Sequence, residues 1–180
     1  MSKKTKLKIF MFTVLFTILL IPSNVNAYTK LGYSLSKPTA KNFKFYINGS
    51  AISYKNIIIN GAKSWNASPY VNTVSMGRDV NPHFTISSSA KDRGATVAIC
   101  ETWTYKGTKV VAKNEVTTFK AFRSLSAGDK TETIAHEFGH GLGLGLGHVK
   151  TKNAIMLDVG FTKKIKPQTD DLNGIKSIYR

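Results

Sequence analysis

The side chains whose types and spacing could do chemistry are His136, Glu137 and His140. On a helix four residues make slightly more than one turn, so two imidazoles at that spacing share a face. Glu137 lies about 100° from His136 and about 60° from His140 around the axis, at ~100° per residue. Two neutral imidazoles facing one small volume suit a zinc ion. A carboxylate beside them can work on a water at the metal without being a ligand. The stretch His136-Glu137-Phe138-Gly139-His140 is therefore a candidate site for metal-assisted hydrolysis, with the histidines as ligands and Glu137 as general base. An amphipathic helix with two buried histidines is the plain alternative.

The residues beyond His140 narrow the choice. From there the chain alternates glycine and leucine through Gly147 and closes on His148. Glycine costs a helix about 1 kcal/mol against alanine, so the helix should stop between Gly141 and Gly145, and a turn can bring His148 back to the metal. Eight residues beyond His148 stands Met156, in Asn153-Ala154-Ile155-Met156-Leu157-Asp158. Here the sequence resembles the metzincin zinc peptidases, the matrixin branch in particular, which carry H-E-x-x-H-x-x-G-x-x-H and then a methionine-bearing turn. The stretch from Gln168 through Asp170, Asp171 and Leu172 to Tyr179 also looks like the last helix of a matrixin catalytic domain. The strong resemblance covers 131–180.

One departure stands out. The family pattern puts its third histidine ten residues after the first, but that position holds Leu146, and His148 comes two residues later. One extra Gly-Leu unit accounts for the shift. Two residues can span ~7 Å, and glycine allows the φ > 0 that a bulge needs. His148 is thus the expected third ligand. Asp158, His83 or a site with only two protein ligands are the competitors.

These groups need a frame to hold them. Alternation at Phe43, Phe45 and Ile47 predicts a strand over 41–48. Tyr54, Ile57, Ile58, Gly61, Ala62 and Trp65 recur at helical spacing and predict an amphipathic helix over 53–66. Further strands are expected at 72–76, 83–87, 95–102, 109–112 and 115–121. Asp129-Lys130-Thr131-Glu132 reads as a capping box opening the active-site helix, which Ile134, Phe138 and Leu142 should fasten to the core. Thr169, Asp170 and Asp171 suit the start of a last helix, whose apolar face is Leu172, Ile175, Ile178 and Tyr179. The element order is similar to that of a matrixin catalytic domain. The fold class expected is α+β: a twisted, mixed five-stranded sheet, a backing helix, an active-site helix and a C-terminal helix. The resemblance also implies that Met156 floors the metal site and that residues 157–162 wall the side-chain pocket beside the scissile bond. In the family an aspartate of the last helix can hold the mature N-terminus. Asp171 is the candidate for that here, with helix capping as the simpler role.

The chain begins with lysines at 3, 4, 6 and 8, a 13-residue apolar run over 9–21, and Val25-Asn26-Ala27. This is the pattern of a cleaved export leader, 1–27, and the run is shorter than the ~20 residues a spanning helix needs. The remainder, 28–180, suits one catalytic domain. Its single cysteine, Cys100, sits in an apolar run and excludes an internal disulfide, so it reads as a buried strand thiol. The formal charge is +16. Without the leader, 22 basic and 10 acidic residues leave +12. Such a surface should adhere to anionic envelope polymers, yet no nucleic-acid motif and no long basic run is present.

The expected activity is that of a secreted zinc endopeptidase, in which Glu137 takes a proton from a zinc-activated water. It would use one catalytic zinc, act on protein or peptide substrates, and be monomeric. Calcium accompanies many matrixins, but no acidic loop here is rich enough to place it. Two other readings compete. One is a zinc-binding relative of low activity, impaired by the two-residue insertion. The other is a cationic envelope-binding protein with a structural zinc.

Overall fold

The computed structural model describes residues 28–76, 81–147 and 154–180. The expected leader, 1–27, and His148 lie outside them. Five strands are present: β1 (Phe43–Ile47), β2 (Thr73–Met76), β3 (Phe84–Ser88), β4 (Ala98–Thr104) and β5 (Val111–Thr118). They form one mixed sheet in the order β2-β1-β3-β5-β4. β1 pairs in parallel with β2 and β3, and β3 with β5, while β4 runs antiparallel to β5 at the edge. The α+β architecture and the mixed five-stranded sheet are as expected.

The helices are α1 (Lys37–Ala40, a single turn), α2 (Lys55–Lys63), α3 (Ala127–Gly141) and α4 (Thr169–Tyr179). The periodic stretch at 53–66 is not one uniform helix. α2 is flanked by tighter 3-10 turns at Gly49–Tyr54 and Ser64–Ala67.

Two other expectations are corrected. The strands expected at 109–112 and 115–121 are one strand, β5, followed by a 3-10 turn at Lys120–Ser124. Asn114 interrupts the apolar alternation that should have joined them. It is nevertheless buried, because Thr102 Oγ1 donates to its Oδ1 and its Nδ2 donates to the carbonyls of His83 and Gly141. The second correction concerns the start of α3. Its N-cap is Ser126, whose Oγ accepts from Asp129 N and donates to Asp129 Oδ2. A hydroxyl cap followed by an aspartate in the first turn satisfies free N–H groups and meets the positive end of the helix dipole. Glu132, assigned to the cap from sequence, is free for another partner.

Packing fixes how α3 is turned. Phe43 and Phe45 alternate on β1 and so share a face of the sheet. With Phe84 of β3 they surround Phe138, which stacks on Phe84 at 4.5 Å between centroids and meets Phe45 edge-on at 5.8 Å. Aromatic contacts of this kind add about 0.5–1.5 kcal/mol each beyond burial. Ile134, Phe138 and Leu142, the stripe expected to fasten the helix, are all fully buried. From the other side α2 approaches closely: a Cβ on Gly61 would lie 2.7 Å from Ile134 Cγ2. The indole of Trp65 donates to Ala135 O at 2.8 Å. α4 holds the end of α3 through Tyr179 OH, which donates to Leu142 O at 2.8 Å.

Candidate metal and catalytic site

With Phe138 clamped into the sheet, His136 and Glu137 line the cleft beside β4, and the ring of His140 lies against that of His136. The two imidazoles lie 4.6 Å apart, centroid to centroid, at an interplanar angle of 87°. Each has its Nδ1 against a backbone carbonyl: His136 to Ile155 O at 2.7 Å and His140 to Leu144 O at 2.8 Å. A carbonyl only accepts, so both Nδ1 atoms carry the proton and both Nε2 atoms keep a lone pair. Burial, with His140 adding to it, lowers the pKa of His136 to about 4. Burial also lowers that of His140. Two neutral imidazoles, oriented by carbonyls and offering Nε2, are the donor set zinc takes. The described residues therefore fit the metal as a pair. Among them no group of three His, Cys, Asp or Glu side chains has metal-holding geometry.

Glu137 is buried, and burial raises its pKa to about 7. A carboxyl poised near neutrality suits a group that must take and return a proton.

The segment beyond α3 ends as the glycines suggested. Gly143, at φ 98, turns the chain, its N–H donating to His140 O at 2.8 Å. A Cβ there would meet Tyr33 O at 2.4 Å. Leu142 and Leu144 are buried, whereas Leu146 is exposed. Residues 28–31 run beside this stretch. Leu31 N donates to Gly143 O, Gly145 N to Thr29 O, and Thr29 Oγ1 to Leu146 O. On its other side Gly147 N donates to Met156 O at 2.7 Å. Gly147 therefore sits beside the methionine turn, within hydrogen-bond reach of Met156.

Met156 is buried beneath Gly139, where an added Cβ would lie 2.3 Å from its Sδ. Its turn is held by Asp171 on α4. The carboxylate accepts from Ile155 N at 2.9 Å, Met156 N at 3.2 Å and Gln168 N at 2.7 Å. Asp171 is thus a helix cap that also secures the turn whose Ile155 carbonyl orients His136. Sequence reading found the capping half of this role and missed the other.

Beside the histidines opens a cavity of about 410 Å³, lined by Glu132, His136, Glu137, Asp158, residues 95–98 and residues 157–161 among others. Residues 95–97, expected within a strand, precede β4 and line this cavity instead. Glu132 Oε1 accepts from Thr162 N at 2.6 Å and Thr162 Oγ1 at 2.7 Å, tying α3 to the cavity wall. Its spacing of four from His136 was the signal that it shares the cleft-facing side.

His83 lies apart from this site in its bonding: its Nδ1 accepts from Lys44 N at 3.0 Å, a structural role. Cys100 is on β4 and packs against the core. Burial, reinforced by the charge of Glu137, pushes its thiol up to about 12, the inert strand thiol expected.

Comparison with known proteins agrees with this geometry. The family model for the matrixin peptidases matches residues 77–180. No curated protein matches by sequence. Among solved structures the chain is similar to two of myroilysin. One has a TM-score of 0.55 at 13% identity over 84% of this chain and 98% of that one. The other has a TM-score of 0.50 at 13% identity over 87% and 96%. A third is high choriolytic enzyme 1, a hatching enzyme zinc-protease from Oryzias latipes (medaka fish), with a TM-score of 0.48 at 12% identity over 82% and 93%. At these identities the likeness to solved structures is one of fold, and the family rests on the sequence match over more than half the chain. A sheet that clamps Phe138, two carbonyl-oriented imidazoles with a buried glutamate between them, and a methionine turn below therefore belong to a chain of the matrixin family of zinc metalloendopeptidases.

Proposed function

We propose that this chain is an exported endopeptidase in which residues 1–27 are a leader, 28–180 the catalytic domain, and His136, His140 and His148 the ligands of one zinc. The observation that carries the reading is the pair of Nδ1 contacts to Ile155 O and Leu144 O, which leave both Nε2 atoms for a metal. The Gly147–Met156 hydrogen bond supports His148 as the third ligand, since it starts the loop of 148 next to the turn that orients His136. Export rests on the leader pattern. No helix among the described residues is long and apolar enough to cross a membrane.

When bound, zinc supplies a Lewis acid that polarises a peptide carbonyl and brings the pKa of a water to about 7. The chain's own residues do the rest. Glu137 takes a proton from the water as it attacks the carbonyl carbon, and returns it to the amine as the C–N bond breaks. Asp171 and Ile155 keep His136 in place while this happens. β4, an edge strand, offers unpaired backbone groups along which an extended substrate can lie.

The test is zinc content and casein cleavage for wild type, Glu137→Gln and His148→Ala. Wild type should carry one zinc and lose cleavage on chelation. Glu137→Gln should keep the zinc and lose ~10²–10⁴-fold in turnover, the usual contribution of a positioned acid–base group. His148→Ala should lose both zinc and cleavage. If it changes neither, the third ligand is another residue.

A further inference from the structure

Two carboxylates of α3, Asp129 and Glu132, stand three residues apart and so share one side of the helix. Each takes hold of the segment that follows the methionine turn. Glu132 Oε1 accepts from Thr162 N and from Thr162 Oγ1, and Asp129 Oδ1 accepts from Lys163 Nζ at 2.8 Å. Lys163 is the one non-glycine among the described residues with a positive φ, 64, a backbone state that persists where the surroundings over-determine it. The two grips are unequal. The lysine end of the Asp129 pair is exposed, and exposed ion pairs contribute little. Glu132 and Thr162 are both buried, and hydrogen bonds shielded from water are the firmer anchor.

Thr162 ends the cavity wall. Residues 157–161 line the cavity beside His136 and Glu137. At the start of this span Asp171 holds Ile155 and Met156. At its end Glu132 holds Thr162. Between them 158–160 are exposed, Val159 by 84%, and Gly160 turns at φ 85, so the span is placed by its two ends. Both bonds from Thr162 fall on Oε1 of Glu132, and Oε2 is buried without a partner among the described residues. Leaving a carboxylate oxygen so costs stability. An apolar side chain at 132 would avoid that cost, so the residue is explained by what its Oε1 holds and not by its charge.

Resting on the endopeptidase reading, the geometry points to Glu132 as a positioning residue for specificity: through Thr162 it fixes the far end of the cavity wall, and so the size of the substrate side chain admitted beside the scissile bond. It touches neither the substrate nor the reacting atoms.

The experiment uses zinc-loaded protein and matched peptides carrying Ala, Leu, Phe or Trp at each position flanking the cleaved bond. With the wall fixed, wild type should separate the best size from the worst by about tenfold or more in kcat/KM, the scale that a methylene commands in a pocket. Glu132→Ala should flatten this profile through KM, with a smaller effect on kcat and an unchanged zinc content. Glu132→Gln, which keeps the Oε1 acceptor, should restore most of the profile. A flat wild-type profile, or an unaltered one in Glu132→Ala, would overturn the inference. So would a Glu132→Gln profile as flat as that of Glu132→Ala, which would assign the role to charge, or zinc lost in step with selectivity, which would reduce Glu132 to a support of α3. A binding arm follows the anisotropy of labelled peptides of the same series on Glu137→Gln protein, with and without Glu132→Ala. Size-graded binding that Glu132→Ala flattens, beside a wild type that cleaves nothing, would keep this inference and defeat the endopeptidase reading. Should Glu132→Ala fail to fold, Thr162→Val decides: it removes the hydroxyl bond and keeps the N–H, and should flatten the profile in part, an unaltered one overturning the proposal.

Discussion

His136 and Glu137 are adjacent, buried, and displaced in opposite directions by the same cause. Desolvation disfavours whichever form is charged, so it lowers the imidazole to about 4 from 6.5 and raises the carboxyl to about 7 from 4.5. In the zinc-free protein the two make opposite contributions to stability. Between pH 4 and 6.5 the unfolded chain holds a proton on His136 that the folded one does not, so this contribution rises with pH. Between pH 4.5 and 7 the folded chain holds a proton on Glu137 that the unfolded one has released, so that contribution falls. In wild type they largely cancel. Glu137→Gln removes the falling limb. Its zinc-free stability should therefore climb between pH 4 and 6.5 and exceed wild type above pH 7 by about 3 kcal/mol, since a tenfold change in proton affinity is worth ~1.4 kcal/mol. Urea denaturation of chelated protein across this pH range measures it; parallel curves for the two proteins would show that burial does not hold these groups as described.

Among the elements, the methionine turn and α4 act as one support for α3. Asp171→Ala would leave the N–H groups of Ile155, Met156 and Gln168 without their acceptor. With hydrogen bonds to a charged group worth ~1.5–3 kcal/mol each and partial compensation by water, a loss of about 3 kcal/mol in folding stability is expected. Zinc affinity should fall further, by about 10–100-fold, the scale for groups that orient a ligand. Chelator competition and urea titration separate the two effects, and an unchanged zinc affinity would show that the turn does not govern His136. This element was half legible in the sequence. Periodicity found α2, α3 and α4, because their apolar stripes are regular. The start of α3 was misplaced because Asp129 to Glu132 imitates a cap while the true cap, Ser126, stands among small residues of no periodicity. β5 was split because a buried Asn114 satisfied across three elements looks, in one dimension, like a break. The signature residues were legible because helical spacing alone brings them together. Glu132 was legible in position, though not in partner, since Thr162 lies thirty residues away.

At the scale of the molecule, basic side chains dominate the chain, while the cavity lining holds carboxyl groups and no lysine or arginine. The surface should hold the protein on a sulfated or phosphate-bearing matrix at about 0.05 M salt and release it well before ~1 M, where screening acts within about 3 Å. Glu137→Gln should elute at nearly the same salt as wild type, because one buried group adds little to a surface field. Retention that survives high salt would point to an apolar contact instead. The sewing of residues 28–31 onto the glycine-leucine run has a consequence for how the protein is handled. Residues 28–31 are a working part of that run, and in the proposed mature chain they would be its first four. Aminopeptidase nibbling, or a purification tag fused directly before Thr29, would then disturb the hydrogen bonds to Gly143, Gly145 and Leu146 that support the run, and catalysis would fade in a preparation whose bulk fold looks intact.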